Sequence, residues 1–130
     1  MKMVSLDSTF LIDLLRRVPA AVAHLDRLEA SREPRFVTPP AAAEVMVGAH
    51  GIGGQSLRVA EEMLESLQWL EFDWESCRLA GRIEADLIAR GEPLSAADLF
   101  IAAVSLRHGQ RLVTRDRGFA RVPGLRLETY

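Results

Sequence analysis

The chain has 130 residues, of which 48% are hydrophobic and 26% are charged, and its formal net charge is −2. This length is typical of one domain, and this apolar fraction supports a buried core, so the composition excludes an extended disordered chain. Cys77 is the only cysteine, which excludes an intrachain disulfide, and no apolar run reaches the roughly 20 residues of a membrane-spanning helix. We therefore expect a single domain over residues 1–130 in a soluble, cytoplasmic protein.

Apolar runs and helix-capping residues predict the elements of secondary structure. In chain order they are a strand at 3–6, helices at 8–17 and 19–31, a strand at 35–38, a helix at 39–50, a glycine loop at 51–54, a helix at 55–66, a strand at 67–72, helices at 74–90 and 95–107, a strand at 111–114, a short turn or helical piece at 119–121 and an edge strand at 125–127. Strands that alternate with helices predict an α/β fold with a mostly parallel sheet.

The predicted helices also indicate which side chains face the core. The second helix is expected to bury Val22, Leu25 and Leu28, which lie three residues apart along the chain. Asp13, in the first helix, is expected to be a solvated charge.

Four acidic residues occupy related places on this map. Asp7 and Asp116 each follow a predicted strand, Asp98 lies in the first turn of a helix, and Glu44 lies about a turn into the helix that follows the second strand. Ligands of open parallel sheets bind at the carboxyl ends of the strands, where these segments can converge. Clustered carboxylates repel one another, and a divalent cation relieves that repulsion. The sequence therefore predicts a magnesium or manganese site.

Each acid also has a structural explanation. Asp7 can cap the helix that follows it, Asp116 can belong to a turn, and Glu44 can be a solvated helix residue. Ser95 and Asp98 form an S-x-x-D capping box before an apolar run. A binding module without catalytic activity, with these acids as caps, is therefore an alternative.

Arginine accounts for fifteen of the sixteen basic residues. Its planar guanidinium suits phosphate groups, and six arginines lie between residues 105 and 130, namely Arg107, Arg111, Arg115, Arg117, Arg121 and Arg126. Phosphate contact and a plain solvated face are both compatible with this cluster.

Four blocks of the chain resemble the PIN-domain family, in particular its VapC-type toxin ribonucleases. They are the strand and helix around Asp7, with the hydroxyl pair Ser8-Thr9; the helix that carries Glu44; the segment Leu94-Ser-Ala-Ala-Asp98-Leu-Phe; and the closing segment Arg111-Leu-Val-Thr114-Arg-Asp116-Arg-Gly-Phe119. Their order and spacing cover nearly the whole chain. Two prolines, Pro39 and Pro40, stand where the family more often has Ser or Thr, which puts the start of the Glu44 helix in question.

The resemblance implies a three-layer α/β/α fold and a metal-dependent endoribonuclease that hydrolyses phosphodiester bonds in transfer, ribosomal or messenger RNA. It implies metal ligation by Asp7, Glu44, Asp98 and Asp116, with Thr114 and Ser8 in supporting roles. Arg115 and Arg117 are candidates to hold the RNA backbone. It also implies a cognate antitoxin and a homodimer. A PIN nuclease that processes RNA for housekeeping is the other alternative.

Overall fold

A computed structural model of the protein describes residues 3–130. Five short strands form one parallel sheet: β1 (Val4–Leu6), β2 (Arg35–Val37), β3 (Gln68–Trp69), β4 (Arg111–Val113) and β5 (Leu127–Glu128). Their order across the sheet is β3-β2-β1-β4-β5, and each of the four pairings is parallel. The chain therefore leaves β1 first toward one side and later returns to the other, which creates a crevice at the carboxyl ends of β1 and β4.

Six helices cover the two faces of the sheet, in the predicted three-layer α/β/α arrangement. They are α1 (Ser8–Leu15), α2 (Pro19–Ser31), α3 (Pro39–Ile52), α4 (Ser56–Ser66), α5 (Trp74–Ala89) and α6 (Ala96–Arg107), and a short 3-10 helix follows at Arg117–Arg121. Helix α3 packs against α1, α4 and α6, and α5 packs along α6.

Helix α6 packs against the sheet at β4. Its residues 101–105 are all buried, and Ser105 shares a hydrogen bond of 2.9 Å between hydroxyl oxygens with Ser5 of β1. A buried hydroxyl needs such a partner, because leaving it unpaired costs about 1–3 kcal/mol. This contact and the apolar packing around it fix the position of α6, and hence of Asp98, relative to β1.

The predicted element order is correct, and the differences lie at the ends of elements. The strand predicted at 67–72 is paired only at Gln68–Trp69, with one further bond from Leu70 N–H to the Val37 carbonyl at 2.9 Å. This strand lies at the edge of the sheet and pairs only with β2, so the apolar residues at 67–72 extend beyond its paired segment. Helix α3 continues to Ile52, into the predicted glycine loop, and β5 lies at Leu127–Glu128 rather than 125–127.

The predicted buried face of α2 is partly wrong. Leu28 is buried, but Val22 is 40% exposed, and the other buried side chains of this helix are Ala21 and His24. Leu25 is partly buried. The buried face of the helix is therefore shifted toward Ala21 and His24, and a ring nitrogen of His24 shares a hydrogen bond of 2.7 Å with Glu128.

Among residues 3–130, no helix is long and apolar enough to cross a membrane.

Candidate functional site

Asp7 lies at the carboxyl end of β1, and only 1% of its surface is exposed. Its Oδ2 accepts hydrogen bonds from the hydroxyls of Thr114, at 2.7 Å, and Thr9, at 2.8 Å. Its Oδ1 has no hydrogen-bond partner among the described residues. Burial raises the pKa of Asp7; the threonine hydroxyls and the nearby backbone N–H of Ser8 oppose this rise, and the charge of Glu44 adds to it. A buried carboxylate oxygen without a partner is costly unless a proton or a cation satisfies it.

Thr114 follows β4 and is fully buried. Its hydroxyl donates to Asp7 and accepts the backbone N–H of Asp116 at 3.0 Å, so one side chain joins Asp7 to the turn that carries Asp116. The supporting role of Thr114 stays a prediction, and the hydrogen bond to Asp7 is the contact through which it would act. Thr9 was not among the predicted site residues; its signal in the sequence is its place two residues after Asp7 at the start of α1.

Glu44 reaches the site from α3. The start of that helix is well defined, because the Thr38 hydroxyl accepts the Ala41 N–H at 3.2 Å and Pro39 and Pro40 occupy the first positions, where proline is well tolerated. The Glu44 Oε1 then accepts a hydrogen bond of 2.8 Å from the Ser8 hydroxyl. Ser8, which follows Asp7 directly, thus ties Glu44 to the end of β1.

A close approach of α1 and α3 makes this contact possible. A Cβ atom on Gly48 would lie 2.9 Å from Cδ1 of Ile12, closer than real Cβ contacts. Gly48 therefore leaves room for the end of the Ile12 side chain where the two helices meet, one turn along α3 from Glu44.

Asp98 lies in the first turn of α6, half-buried. The Ser95 hydroxyl caps the helix by accepting the Asp98 N–H at 3.3 Å, so the predicted capping serine is observed. Burial raises the pKa of Asp98, and the charges of Asp7 and Asp116 raise it further. The Ser95 cap explains the position of the Asp98 backbone. The Asp98 carboxylate is repelled by the charges of Asp7 and Asp116.

Asp116 caps the 3-10 helix at Arg117–Arg121. Its Oδ1 accepts the Gly118 N–H at 2.9 Å, so the structural role considered for this residue is present. That bond uses Oδ1 of Asp116, and Oδ2 takes no part in it.

The four acids, Asp7, Glu44, Asp98 and Asp116, form what we call the acidic site. Glu44 raises the pKa of Asp7, and Asp7 and Asp116 raise the pKa of Asp98, so their charges act on one another across four separate segments. No group of three His, Cys, Asp or Glu side chains within residues 3–130 is placed so as to hold a metal ion in these rotamers. The donor set nevertheless fits a hard divalent cation, because it offers carboxylates alone and includes the unpartnered Asp7 Oδ1.

Arg115 and Asp13 form an ion pair beside the acidic site. The Arg115 Nε donates to Asp13 Oδ2 at 2.7 Å, its second nitrogen donates to Oδ1 at 3.3 Å, and the Tyr130 hydroxyl donates to Oδ2 at 2.6 Å. Asp13 is 4% exposed, so its expected solvation is wrong. Burial alone raises the pKa of Asp13, but the hydrogen bonds from Arg115 and Tyr130 outweigh it and the net shift is downward. The other candidate for the RNA backbone, Arg117, is exposed.

An open cleft of about 780 Å³ adjoins the acidic site. We call it the apolar cleft because most of its lining is aliphatic or aromatic. Its polar rim consists of Ser8, Thr9, Glu44 and Arg115, and its apolar wall includes Ile12, Pro40, Ala43, Val47, Ala97 and Phe100.

Comparison with known proteins gives the same picture. The family described as "PIN domain" matches residues 4–125. The chain is 32% identical over 77 residues to "tRNA(fMet)-specific endonuclease VapC" of Salmonella typhimurium, a match that spans 58% of each protein. It is 27% identical over 128 residues to the protein of the same name from Shigella flexneri, which spans 96% of each. These relatives confirm the predicted VapC resemblance and the class of enzyme, a nuclease.

Solved structures agree with the fold. The structure named "DNA bound VapBC from Salmonella typhimurium" superposes with a TM-score of 0.84 at 27% identity, covering 99% of this chain and 98% of the other.

Proposed function

The chain belongs to the PIN-domain family, and on that premise we propose that it is a magnesium- or manganese-dependent endoribonuclease, the toxin of a toxin–antitoxin pair. The observation that carries this proposal is the buried carboxylate of Asp7, one oxygen of which is saturated by two hydroxyls while the other has no partner among the described residues. The charge of Glu44 acts on Asp7, and the charges of Asp7 and Asp116 act on Asp98, so acids from separate segments influence one another here. A structural carboxylate is normally paired, so this arrangement favours a cation ligand.

Asp7, Asp98, Asp116 and Glu44 would hold the cation, with Asp7 Oδ1 as the atom left available by its hydrogen bonds. A divalent cation bound there supplies the Lewis acidity that hydrolysis of a phosphodiester by water requires. Thr114 and Thr9 hold Asp7 through Oδ2, and Ser8 holds Glu44. Burial and neighbouring charges raise the pKa values of Asp7 and Asp98, and a cation bound between the carboxylates would lower them again by favouring the charged form.

The proposed substrate is structured RNA, with transfer RNA the first to test. Two relatives are named as tRNA(fMet)-specific endonucleases, and ribosomal and messenger RNA are the other substrates that the resemblance implies. Arg115 and Arg117 are proposed to contact the RNA backbone on the rim of the site. The proposed partner is a cognate antitoxin, and the proposed assembly is a homodimer.

Cleavage of purified RNA tests the nuclease. We expect cleavage of transfer RNA by the wild-type protein in magnesium or manganese, and none after chelation. Asp7→Asn and Asp98→Asn should each lower the rate by about 100-fold or more, since even indirect supports of metal ligands are worth 10–100-fold. Glu75→Gln, a charge change on the exposed part of α5, is the matched control and should cleave normally. Full activity of either aspartate variant, or cleavage in excess chelator, would contradict the proposed site.

Growth on induction separates the toxin from a housekeeping nuclease. Expression of the wild-type protein should arrest growth, expression of Asp98→Asn should not, and light scattering of the purified protein should give the mass of a dimer. Harmless expression of an enzyme that cleaves RNA in the test tube would favour the housekeeping role.

A further inference from the structure

Asp13, Arg115 and Tyr130 bring together three distant parts of the chain. Asp13 lies on α1, Arg115 lies between β4 and Asp116, and Tyr130 is the last residue. The Asp13 carboxylate accepts three hydrogen bonds, two from the Arg115 guanidinium and one from the Tyr130 hydroxyl. The side chain of Asp13 is 6% exposed, whereas that of Arg115 is 57% exposed. The acid is therefore buried within the fold, and the arginine that it holds faces solvent.

Two hydrogen bonds to one carboxylate fix both the position and the plane of a guanidinium. The third bond, from Tyr130, fixes the carboxylate in turn, and the Tyr130 ring packs edge-on against the buried Phe10 with centroids 4.9 Å apart. Arg115 thus loses most of its rotamer freedom during folding. An arginine immobilised in advance binds a ligand without that cost, which amounts to about 0.5–1.5 kcal/mol for a flexible side chain.

The Arg115 guanidinium has N–H donors that do not bond Asp13. Arginine has five N–H groups, and the hydrogen bonds to Asp13 use two of them. Arg115 also lines the apolar cleft together with Ser8, Thr9 and Glu44, and it directly precedes Asp116. Arg115 therefore lies at the edge of the acidic site, with N–H donors that Asp13 does not use.

We propose that Asp13 and Tyr130 are positioning residues that hold the Arg115 guanidinium at the rim of the acidic site, so that its outward N–H groups bind a phosphate of the substrate RNA. This inference rests on the proposed nuclease function and adds the residues that prepare the phosphate contact. Because Asp13 balances the charge of Arg115, the contact acts through local hydrogen bonds rather than through long-range attraction.

The test is a double-mutant cycle on RNA binding. The affinity for a fluorescent transfer RNA is measured in magnesium with full-length protein that also carries Asp98→Asn to prevent cleavage. Arg115→Ala should raise Kd about tenfold, Asp13→Asn about fivefold and Tyr130→Phe about threefold, as expected for the loss or misplacement of a charged hydrogen bond. In the Arg115→Ala background, Asp13→Asn and Tyr130→Phe should each change Kd by less than about twofold, because their effect passes through the arginine.

Arg78→Ala is the matched control. Arg78 pairs with Glu75 on α5, and its side chain is 60% exposed, close to the value for Arg115. Its substitution should change Kd by less than about twofold. In cleavage assays without Asp98→Asn, Arg115→Ala and Tyr130→Phe should raise KM and leave kcat within about twofold, as expected for a contact made equally in ground and transition states.

Each result decides one of the two proposals. If Asp13→Asn and Tyr130→Phe weaken binding equally with and without Arg115, their role is structural and the positioning inference is wrong. It is also wrong if Arg115→Ala binds RNA as the wild type does. If the wild type binds RNA but does not cleave it, the nuclease proposal fails. The double-mutant cycle still tests whether Asp13 and Tyr130 position Arg115. Should Asp13→Asn fail to fold, Tyr130→Phe, which removes one hydroxyl, decides the question alone.

Discussion

Two groups of charged side chains lie at opposite ends of strand β4, and they differ in how their charges are balanced. Arg111, which begins the strand, bonds Glu33 at 3.3 Å and Glu128 at 3.0 Å, and Glu128 also bonds His24 at 2.7 Å. We call these four residues the paired cluster. Thr114, which follows the strand, contacts the acidic site, where neighbouring carboxylates act on one another and no cationic side chain within residues 3–130 is bonded to Asp7.

The two groups differ in whether the fold itself supplies the opposite charge. In the paired cluster each carboxylate has a cation or a histidine within hydrogen-bond distance, as partly buried charges in stable proteins require. In the acidic site, burial and neighbouring acids raise the pKa values of Asp7 and Asp98. Such a site stores unfavourable free energy that a bound cation would relieve. Substitutions in the two groups should therefore change stability in opposite directions.

The largest expected effect on stability is in the paired cluster. Arg111→Met removes the cation that two carboxylates share and leaves them facing one another, so we expect a loss of about 3 kcal/mol in the free energy of unfolding. Chemical denaturation measures this loss. Arg58→Met, which breaks an ion pair whose arginine is 79% exposed, is the control and should cost less than about 1 kcal/mol. Equal costs would mean that the paired cluster is no more than a surface feature.

Thr114→Val tests the residue that joins the two parts of the acidic site. Valine has nearly the same shape but neither donates to Asp7 nor accepts from Asp116, so we expect a loss of about 1–2 kcal/mol in stability. We also expect nuclease activity to fall by about 10–100-fold, the range for residues that orient metal ligands. Thr114→Ser keeps the hydroxyl and should keep most of the activity. If valine and serine behave alike, the hydroxyl does not orient Asp7.

The smallest expected effect is a gain. Asp98→Asn removes one repelling charge and keeps the Ser95 cap, so without metal it should stabilise the protein at neutral pH by less than about 1 kcal/mol. Because folding raises the pKa of Asp98 above 3.8, the folded state holds its proton more tightly than the unfolded chain. The resulting penalty is absent below pH 3.8 and grows as the pH rises through the raised pKa.

Thermal melts from acid to neutral pH, in chelator, measure this difference between Asp98→Asn and the wild type. The gain should be absent below pH 3.8, grow as the pH rises through the raised pKa of Asp98 and persist above it, and magnesium should reverse it by stabilising the wild type alone. Asp13 is the opposite case, because folding lowers the pKa of its carboxyl. The stabilising contribution that Asp13→Asn removes is therefore present above pH 3.8 and lost as the pH falls through the lowered pKa. A loss of stability for Asp98→Asn at neutral pH would identify its carboxylate as a structural cap.

The amino-acid pattern was sufficient for the element order and the fold class. The apolar runs of the strands alternate with helices whose capping residues lie next to them in the chain. Both patterns are local, so they can be recognised without knowing which segments pack together. The Thr38 hydroxyl caps α3 before two prolines; this signal is also local, but the prolines put the start of the helix in question in the sequence. The PIN-like spacing around Asp7, Glu44, Asp98 and Asp116 also lies in the sequence, which is why these acids could be named together as a site; their role as metal ligands is a prediction that the proposed experiments test.

Tertiary structure decided the features that depend on contacts between distant segments. The strand order β3-β2-β1-β4-β5 places β4 beside β1 and so brings Thr114 to Asp7, 107 residues away in the chain. His24 and Asp13 are buried because Glu128, Arg115 and Tyr130 meet them there, whereas helical periodicity treats a charged residue as solvent-facing. Burial of a charge depends on its partner, and that partner is known only when the chain has folded.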